Sequence, residues 1–200
     1  MNSGQIVLLP ILIPLAGAFL ILFLRSWKQW QARFALVVML LSLVSSMGLL
    51  YRVWDTGKPV VFQLGGWIAP VGISLVGDYL SGFLVLMCQL VLLTGVIYAS
   101  GAKDHNIQYP TFYSLFLTLG VGLTGALLSG DFFNLFVFAE LLVISGTILT
   151  AISDDRFGAE AAFKYFYISL LASAFLLLAI GCLYISYGSL NMADVAMQVQ

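Results

Sequence analysis

Six long apolar runs dominate this sequence of 200 residues. The hydrocarbon core of a bilayer is about 30 Å thick, and a helix needs roughly 20 apolar residues to cross it. A helix also satisfies its own backbone hydrogen bonds, which the hydrocarbon requires. The sequence therefore predicts an all-α integral membrane protein, with about six transmembrane helices in a single transmembrane domain over residues 1–200. The predicted helices cover residues 6–24, 34–50, 79–100, 111–128, 132–152 and 161–184.

The composition supports a membrane class and excludes several others. Hydrophobic residues make up 62% of the chain and charged residues only 8%, whereas soluble domains carry about 25% charged residues. The net charge of -1 excludes the basic surface that nucleic-acid binding needs. Cys88 and Cys182 lie inside apolar runs, which indicates packing. Because the sequence shows no metal-ligand spacing, phosphate loop or nucleophile with a paired base, it predicts no cofactor, metal site or catalytic residue.

The Lys and Arg residues between the runs indicate an orientation. Cytoplasmic connections carry an excess of these residues, and the two sets of connections here hold five and two of them. This bias predicts that the N-terminus lies outside. The predicted cytoplasmic residues are Arg25, Lys28, Arg33, Lys103 and Arg156, and the predicted outer residues are Arg52 and Lys58.

The outer connection, residues 55–78, contains two short apolar segments around a Gly65-Gly66 pair. Segments of this length that flank a glycine turn are typical of a β-hairpin. The sequence therefore predicts a short β-hairpin on the outer surface, with an irregular loop as the alternative.

Small and acidic residues at defined positions indicate helix ends and helix contacts. Asp78 and Asp131 each directly precede a predicted helix, where an Asp side chain caps the first turn. Gly120, Gly122 and Gly125 fall in the fourth run. Glycines there allow two membrane helices to approach closely.

Glu140 is the candidate functional residue, because it is the ninth residue of the fifth run. A rise of 1.5 Å per residue places it roughly 12 Å inside the membrane. A charge at this depth costs about 2.5 to 3.5 kcal/mol, so such residues usually mark an ion path. We predict a proton or cation site, with Thr147, seven residues further on the same face, holding water for a relay. The alternative is a protonated Glu140 that serves as a hydrogen-bonded packing contact.

Lys164 is the second charge inside a run, about one turn from the start of the sixth. It either belongs to the same path or extends to the interface along its apolar stem. A hairpin turn near Arg156 places Lys164 level with Ile148, roughly 12 Å from Glu140 along the axis. The sequence therefore predicts no direct ion pair between Glu140 and Lys164, so that any coupling passes through water or a further residue.

Three motifs resemble a known family over essentially the whole chain. Residues 130–140 read GDFFNLFVFAE, residues 160–166 read EAAFKYF, and residues 64–70 read LGGWIAP. They resemble the proton-translocating antiporter-like subunits. This family comprises the D-type subunit of Mrp-type multisubunit sodium/proton antiporters and its relatives in respiratory complex I and membrane-bound hydrogenases.

The resemblance implies a function. Glu140 matches the essential glutamate of the family's fifth helix, and Lys164 matches the lysine that opens the sixth. The expected protein is a subunit of a cation/proton antiporter in the plasma membrane. Its expected partners are other membrane subunits, the lipid bilayer, protons and sodium. The alternatives are a proton-translocating subunit of a redox-driven complex, of the NADH dehydrogenase or hydrogenase type, and a scaffold that does not transport.

The resemblance also implies a longer subunit. Members of the family have about fourteen helices, with a key lysine on the seventh, a broken eighth helix and a charged residue on the twelfth. This sequence ends after the sixth run. It is expected to be the N-terminal part of such a subunit, or one piece of a split subunit.

Overall fold

The computed structural model describes residues 3–23, 27–67, 72–102, 104, 106–153 and 155–199. Five of the described helices are long and apolar enough to cross a membrane, and the all-α membrane fold is confirmed. Helices α1 to α7 cover Leu9–Phe23, Lys28–Thr56, Tyr79–Gly101, Phe112–Leu127, Phe132–Thr150, Arg156–Tyr187 and Met192–Val199. Strands β1 and β2 cover Val60–Gln63 and Ser74–Gly77.

Helices α2 and α6 are longer than their apolar runs. α2 has 29 residues and α6 has 32, so α6 measures about 48 Å. Arg33 and Arg52, predicted to lie in connections, are part of α2. Hydropathy detects only the part of a helix inside the hydrocarbon, whereas Arg side chains at its ends can reach the polar headgroups.

Helix α4 is shorter, with 16 residues or about 24 Å of rise. At one end the Pro110 carbonyl accepts a hydrogen bond from Gln31 Nε2, 3.2 Å away. At the other end the Leu128 carbonyl accepts one from Val76 N at 2.8 Å. Helix α4 therefore connects the two ends of the bundle in spite of its length.

The predicted β-hairpin is present. β1 and β2 pair antiparallel, with Val60 opposite Gly77 and Gln63 opposite Ser74. Gly65 has a φ of 68°, in the left-handed region that favours glycine. Residues 68–71 of the connection lie outside the described residues.

The segment before α1 and the segment between α4 and α5 meet beside this hairpin, and we call this end of the bundle the hairpin end. Gly4 lies against the Val61 carbonyl. Leu75 forms a bridge with Ser129, which lies between α4 and α5. The hairpin end thus unites the segments that the predicted orientation places outside. Which end faces the cytoplasm stays a prediction, and Arg25 and Lys103 lie outside the described residues.

Buried hydroxyl groups join α1 to α2 and to α4. Pro14 lies inside α1 and has no N–H to donate to the Pro10 carbonyl four residues earlier. Ser42 of α2 donates to that carbonyl at 3.2 Å. Ser114 of α4 donates to the Ala18 carbonyl of α1 at 2.8 Å. These bonds link α1 to α2 and α4 across the apolar core.

Helices α5 and α6 stand at the edge of the described bundle. In the most apolar stretch of each of these two helices only 6% is buried, compared with 33 to 39% in the spans formed by α1, α2 and α3. The two helices that carry Glu140 and Lys164 therefore present open faces.

Candidate functional site

The position of Glu140 depends on the start of α5. Asp131 Oδ1 accepts a hydrogen bond from Asn134 N at 2.9 Å, so the predicted cap at Asp131 is confirmed. The equivalent cap of α3 is also confirmed, because Asp78 Oδ1 accepts from Ser81 N at 2.7 Å. With its start fixed, α5 places Glu140 about 12 Å from Phe132 along the helix axis.

Backbone hydrogen bonds hold the start of α5 from two sides. Gly130 N donates to the Ser74 carbonyl of β2 at 3.0 Å, and Phe132 N donates to the Leu190 carbonyl at 3.0 Å. Met192 N, at the start of α7, donates to the Gly130 carbonyl at 3.0 Å. The segment before α5 is therefore fixed between the hairpin and the segment that follows α6.

A buried side-chain hydrogen bond also joins β2 to the segment that follows α6. Asn191 Nδ2 donates to Ser74 Oγ at 2.9 Å, and both residues are buried. Sequence reasoning missed both residues as well as helix α7, because the sequence after the sixth run turns polar. The positions are 117 residues apart, and nothing in a single sequence pairs them.

Glycines of α4 allow the close approach of a second helix, as predicted, and their contacts also set the rotation of α5. A Cβ at Gly122 would lie 2.7 Å from Leu142 N, and one at Gly125 would overlap the Phe138 ring. Phe138 and Leu142 therefore face α4. Glu140 is two residues from each, which is about 200° around the helix. Its side chain consequently points away from α4.

The Glu140 carboxylate is partly enclosed. Its Oε1 atom is buried, and within the described part of the chain it has no hydrogen-bond partner. A buried polar atom without a partner costs about 1 to 3 kcal/mol, and more when it is charged. Such an atom is uncommon in a residue that serves only for packing.

Thr147 lies on the same face of α5 as Glu140, about two turns away. Its Oγ1 donates to the Val143 carbonyl of its own helix at 2.8 Å. The hydroxyl proton is therefore engaged, and the oxygen can still accept a hydrogen bond. A role for Thr147 in a relay stays a prediction.

Lys164 lies deeper in its helix than predicted. Helix α6 begins at Arg156, because Asp155 accepts a hydrogen bond from Gly158 N at 2.6 Å and caps it. Lys164 is therefore the ninth residue of α6, more than two turns from its start, instead of about one. The sixth apolar run starts later than the helix because residues 156–160 include charged side chains.

Among the described residues, Lys164 forms an ion pair with Glu160. The Lys164 Nζ and Glu160 Oε1 atoms are 2.5 Å apart, and the two side chains are 67% and 53% exposed. No ion pair between Lys164 and Glu140 occurs among the described residues, which agrees with the predicted depth offset. Tyr165 Oη lies 3.5 Å from where a Cβ of Gly146 would be, so α6 contacts α5 close to the residue that follows Lys164.

A further buried polar residue was missed by sequence reasoning. Gln89, in the middle of α3, is fully buried, and its Nε2 donates to Thr124 Oγ1 of α4 at 3.1 Å. Its Oε1 is buried without a partner among the described residues. The signal in the sequence is an amide side chain within the apolar run 79–100.

Several known proteins are similar to this chain. The family described as NADH:quinone oxidoreductase/Mrp antiporter, TM, matches residues 129–200. The D-type subunit of a Na(+)/H(+) antiporter from Alkalihalophilus pseudofirmus is 36% identical over 199 residues, covering 98% of this chain and 40% of that protein. The chain thus spans about two fifths of the length of the curated relatives it matches.

Two solved structures are similar to the whole fold. One is the membrane-bound sulfane sulfur reductase, an archaeal respiratory membrane complex, with a TM-score of 0.90 and 33% identity over 96% of this chain and 40% of that one. The other is the Mrp complex from Dietzia sp. DQ12-45-1b, with a TM-score of 0.86 and 28% identity over 97% and 36%. Residues 129–200 therefore match the transmembrane family of NADH:quinone oxidoreductases and Mrp antiporters, and nearly the whole chain is similar to part of a D-type antiporter subunit and to part of the Mrp complex.

Proposed function

We propose that this chain is part of a membrane subunit of a multisubunit cation/proton antiporter, in which Glu140 takes up and releases protons. The observation that carries the proposal is the partly enclosed carboxylate of Glu140, about 12 Å inside a membrane helix. The relatives named as D-type subunits of Na(+)/H(+) antiporters support this function. Sodium is the proposed cation.

Proton exchange at Glu140 follows from the two environments that a carboxylate can experience. Burial favours the neutral acid, and a cation that comes close favours the carboxylate. A unit charge at 4 Å contributes about 4 kcal/mol at an effective dielectric of 20, whereas one at the predicted offset of roughly 12 Å contributes about 1.4 kcal/mol. Lys164 is exposed and offset, so solvent weakens its effect further. A mobile cation or a group closer than Lys164 must therefore switch Glu140.

The surroundings of the chain complete the proposal. The protein lies in the plasma membrane with its N-terminus and the hairpin end outside, and the chain forms the N-terminal part of its subunit. Other membrane subunits are its partners. The open faces of α5 and α6 support this arrangement, because a proton path between Glu140 and Lys164 needs walls that exclude lipid.

A second candidate function is proton translocation in a redox-driven complex. The similarity to the archaeal respiratory complex, at a TM-score of 0.90 and 33% identity, exceeds that to the Mrp complex. In this case electron transfer on other chains supplies the energy, and Glu140 has the same role.

Inverted vesicles that contain the assembled complex separate these functions. A proton gradient is first imposed, and a pulse of Na⁺ is then added without an electron donor. Antiport dissipates the gradient after the pulse, and K⁺ in a parallel sample tests the cation. With a redox-driven pump the Na⁺ pulse leaves the proton gradient unchanged, and a gradient forms only when an electron donor is added. An assembled complex that does neither would make the chain a scaffold and contradict both proposals.

A further inference from the structure

A cavity of about 650 Å³ opens at the end of the bundle opposite the hairpin end. It lies where α2 begins, α3 ends and α4 begins. Gln31, Ala99 and Tyr113 line it although each is buried, so the cavity extends between the helices. Its volume falls within the range of about 300 to 1,000 Å³ that is typical of ligand sites.

Arg33 provides a positive charge to this cavity. Within the described part of the chain Arg33 forms no ion pair. The guanidinium carbon lies 5.5 Å from the centre of the Trp30 ring. The neutral ring does not compensate the charge of Arg33. The N–H donors of a guanidinium match the oxygens of a phosphate group.

The remainder of the lining is divided between apolar and polar groups. Leu36 and Ile107 provide apolar surface, and Ser100 and Gln108 are polar. The cavity also lies at helix ends, beside the exposed Trp30, and Trp residues are enriched at the level of the lipid headgroups. A ligand that suits this lining combines a negative charge with attached apolar chains.

We infer that this cavity binds an anionic phospholipid. Its phosphate lies against Arg33, and the first part of its acyl chains lies along Leu36 and Ile107. Anionic lipids are bound by basic pockets between membrane helices in this way. The site is separate from Glu140, so it stands whether or not the chain takes part in antiport.

Native mass spectrometry of the whole purified complex tests this inference. Complexes released from nanodiscs that hold equal amounts of phosphatidylglycerol and phosphatidylcholine are compared for retained lipid. We expect the wild type to retain phosphatidylglycerol in preference, and Arg33→Gln to lower that retention about fivefold to tenfold. Arg33→Lys should keep most of it, because the charge remains. Ser100→Phe should also lower it, because the ring fills the cavity.

Arg52→Gln is the matched control, because Arg52 is an exposed arginine on the same helix at the hairpin end. Equal retention in the wild type and Arg33→Gln, or an equal loss in Arg52→Gln, would overturn the inference. So would equal retention of the two lipids by the wild type. A final sample receives inorganic phosphate in place of phosphatidylglycerol. If phosphate binds as well as the lipid and depends on Arg33, the cavity is a free-anion site and the lipid assignment is wrong.

Discussion

Replacing Gly122 with alanine tests whether α4 sets the position of the helix that carries Glu140. The added Cβ would lie 2.7 Å from Leu142 N and 2.9 Å from the Phe138 carbonyl oxygen, both in the backbone of α5. Backbone atoms cannot rotate away as side chains can. An ordinary contact begins at 3.4 Å, so the two helices must separate by roughly 0.7 Å. Overpacking of this kind costs about 1 to 3 kcal/mol.

The assay is thermal unfolding of the assembled complex, with Gly181→Ala as the control. Gly181 is also inside a membrane helix, but a Cβ there meets nothing within 4 Å. For a cooperative unit of 150–250 residues, 1 to 3 kcal/mol corresponds to a fall of roughly 2 to 12 °C in Tm, and the fall is smaller in a larger assembly. We expect this fall for Gly122→Ala and none for Gly181→Ala. If both variants have the same Tm as the wild type, close contact with α4 does not hold α5 in place.

Three further changes test other parts of the structure. Asn191→Ala should lower Tm by several degrees while the complex still assembles. The substitution leaves the buried Ser74 hydroxyl without its partner, which costs about 1 to 3 kcal/mol. An unchanged Tm would show that this hydrogen bond is not needed for stability. The Asp78 carboxylate accepts a hydrogen bond from the Ser81 N–H, and this bond lowers the pKa of Asp78 below 3.8. The stabilisation that the bond provides is therefore complete above pH 3.8, and it disappears as the pH falls through the lower pKa of the folded state. Asp78→Asn should remove this part of the acid dependence of Tm, and an identical pH profile would contradict the assignment. Gln89→Met should leave Tm unchanged or raise it, because the amide oxygen has no partner among the described residues and the Thr124 hydroxyl keeps its hydrogen bond to the Gly120 carbonyl. A large fall would show that the amide oxygen is satisfied in the complex.

The elements that depend on local signals were predictable from the sequence. Apolar runs of membrane length located six helices, and the Gly65-Gly66 turn between apolar segments located the hairpin. Asp131 was recognised as a cap because capping needs only the residues directly after it. The depth of Glu140 followed from its position in the run, since rise per residue is constant in a helix.

Features that depend on tertiary contacts were not predictable. Asn191 and Ser74 meet only because α5 and α6 bring distant segments to one end of the bundle. The true start of α6 was missed because its first turns are charged, although the spacing of Glu160 and Lys164 is typical of an ion pair on one helix. The direction of Glu140, away from α4, depends on which face of α5 the glycines of α4 contact.

The exchange of a proton at Glu140 is the central claim, and replacing this residue tests it most directly. Glu140→Gln keeps the size and the hydrogen-bonding groups but cannot ionise. Glu140→Asp keeps a carboxyl on a stem shorter by one methylene. Proton movement coupled to the cation, or to electron transfer, is measured in vesicles for both variants, and assembly is checked in the same samples. We expect the Gln variant to assemble normally and lose nearly all transport, and the Asp variant to retain part of it. A Gln variant that assembles and transports at the wild-type rate would show that Glu140 is a packing residue and contradict the proposed function.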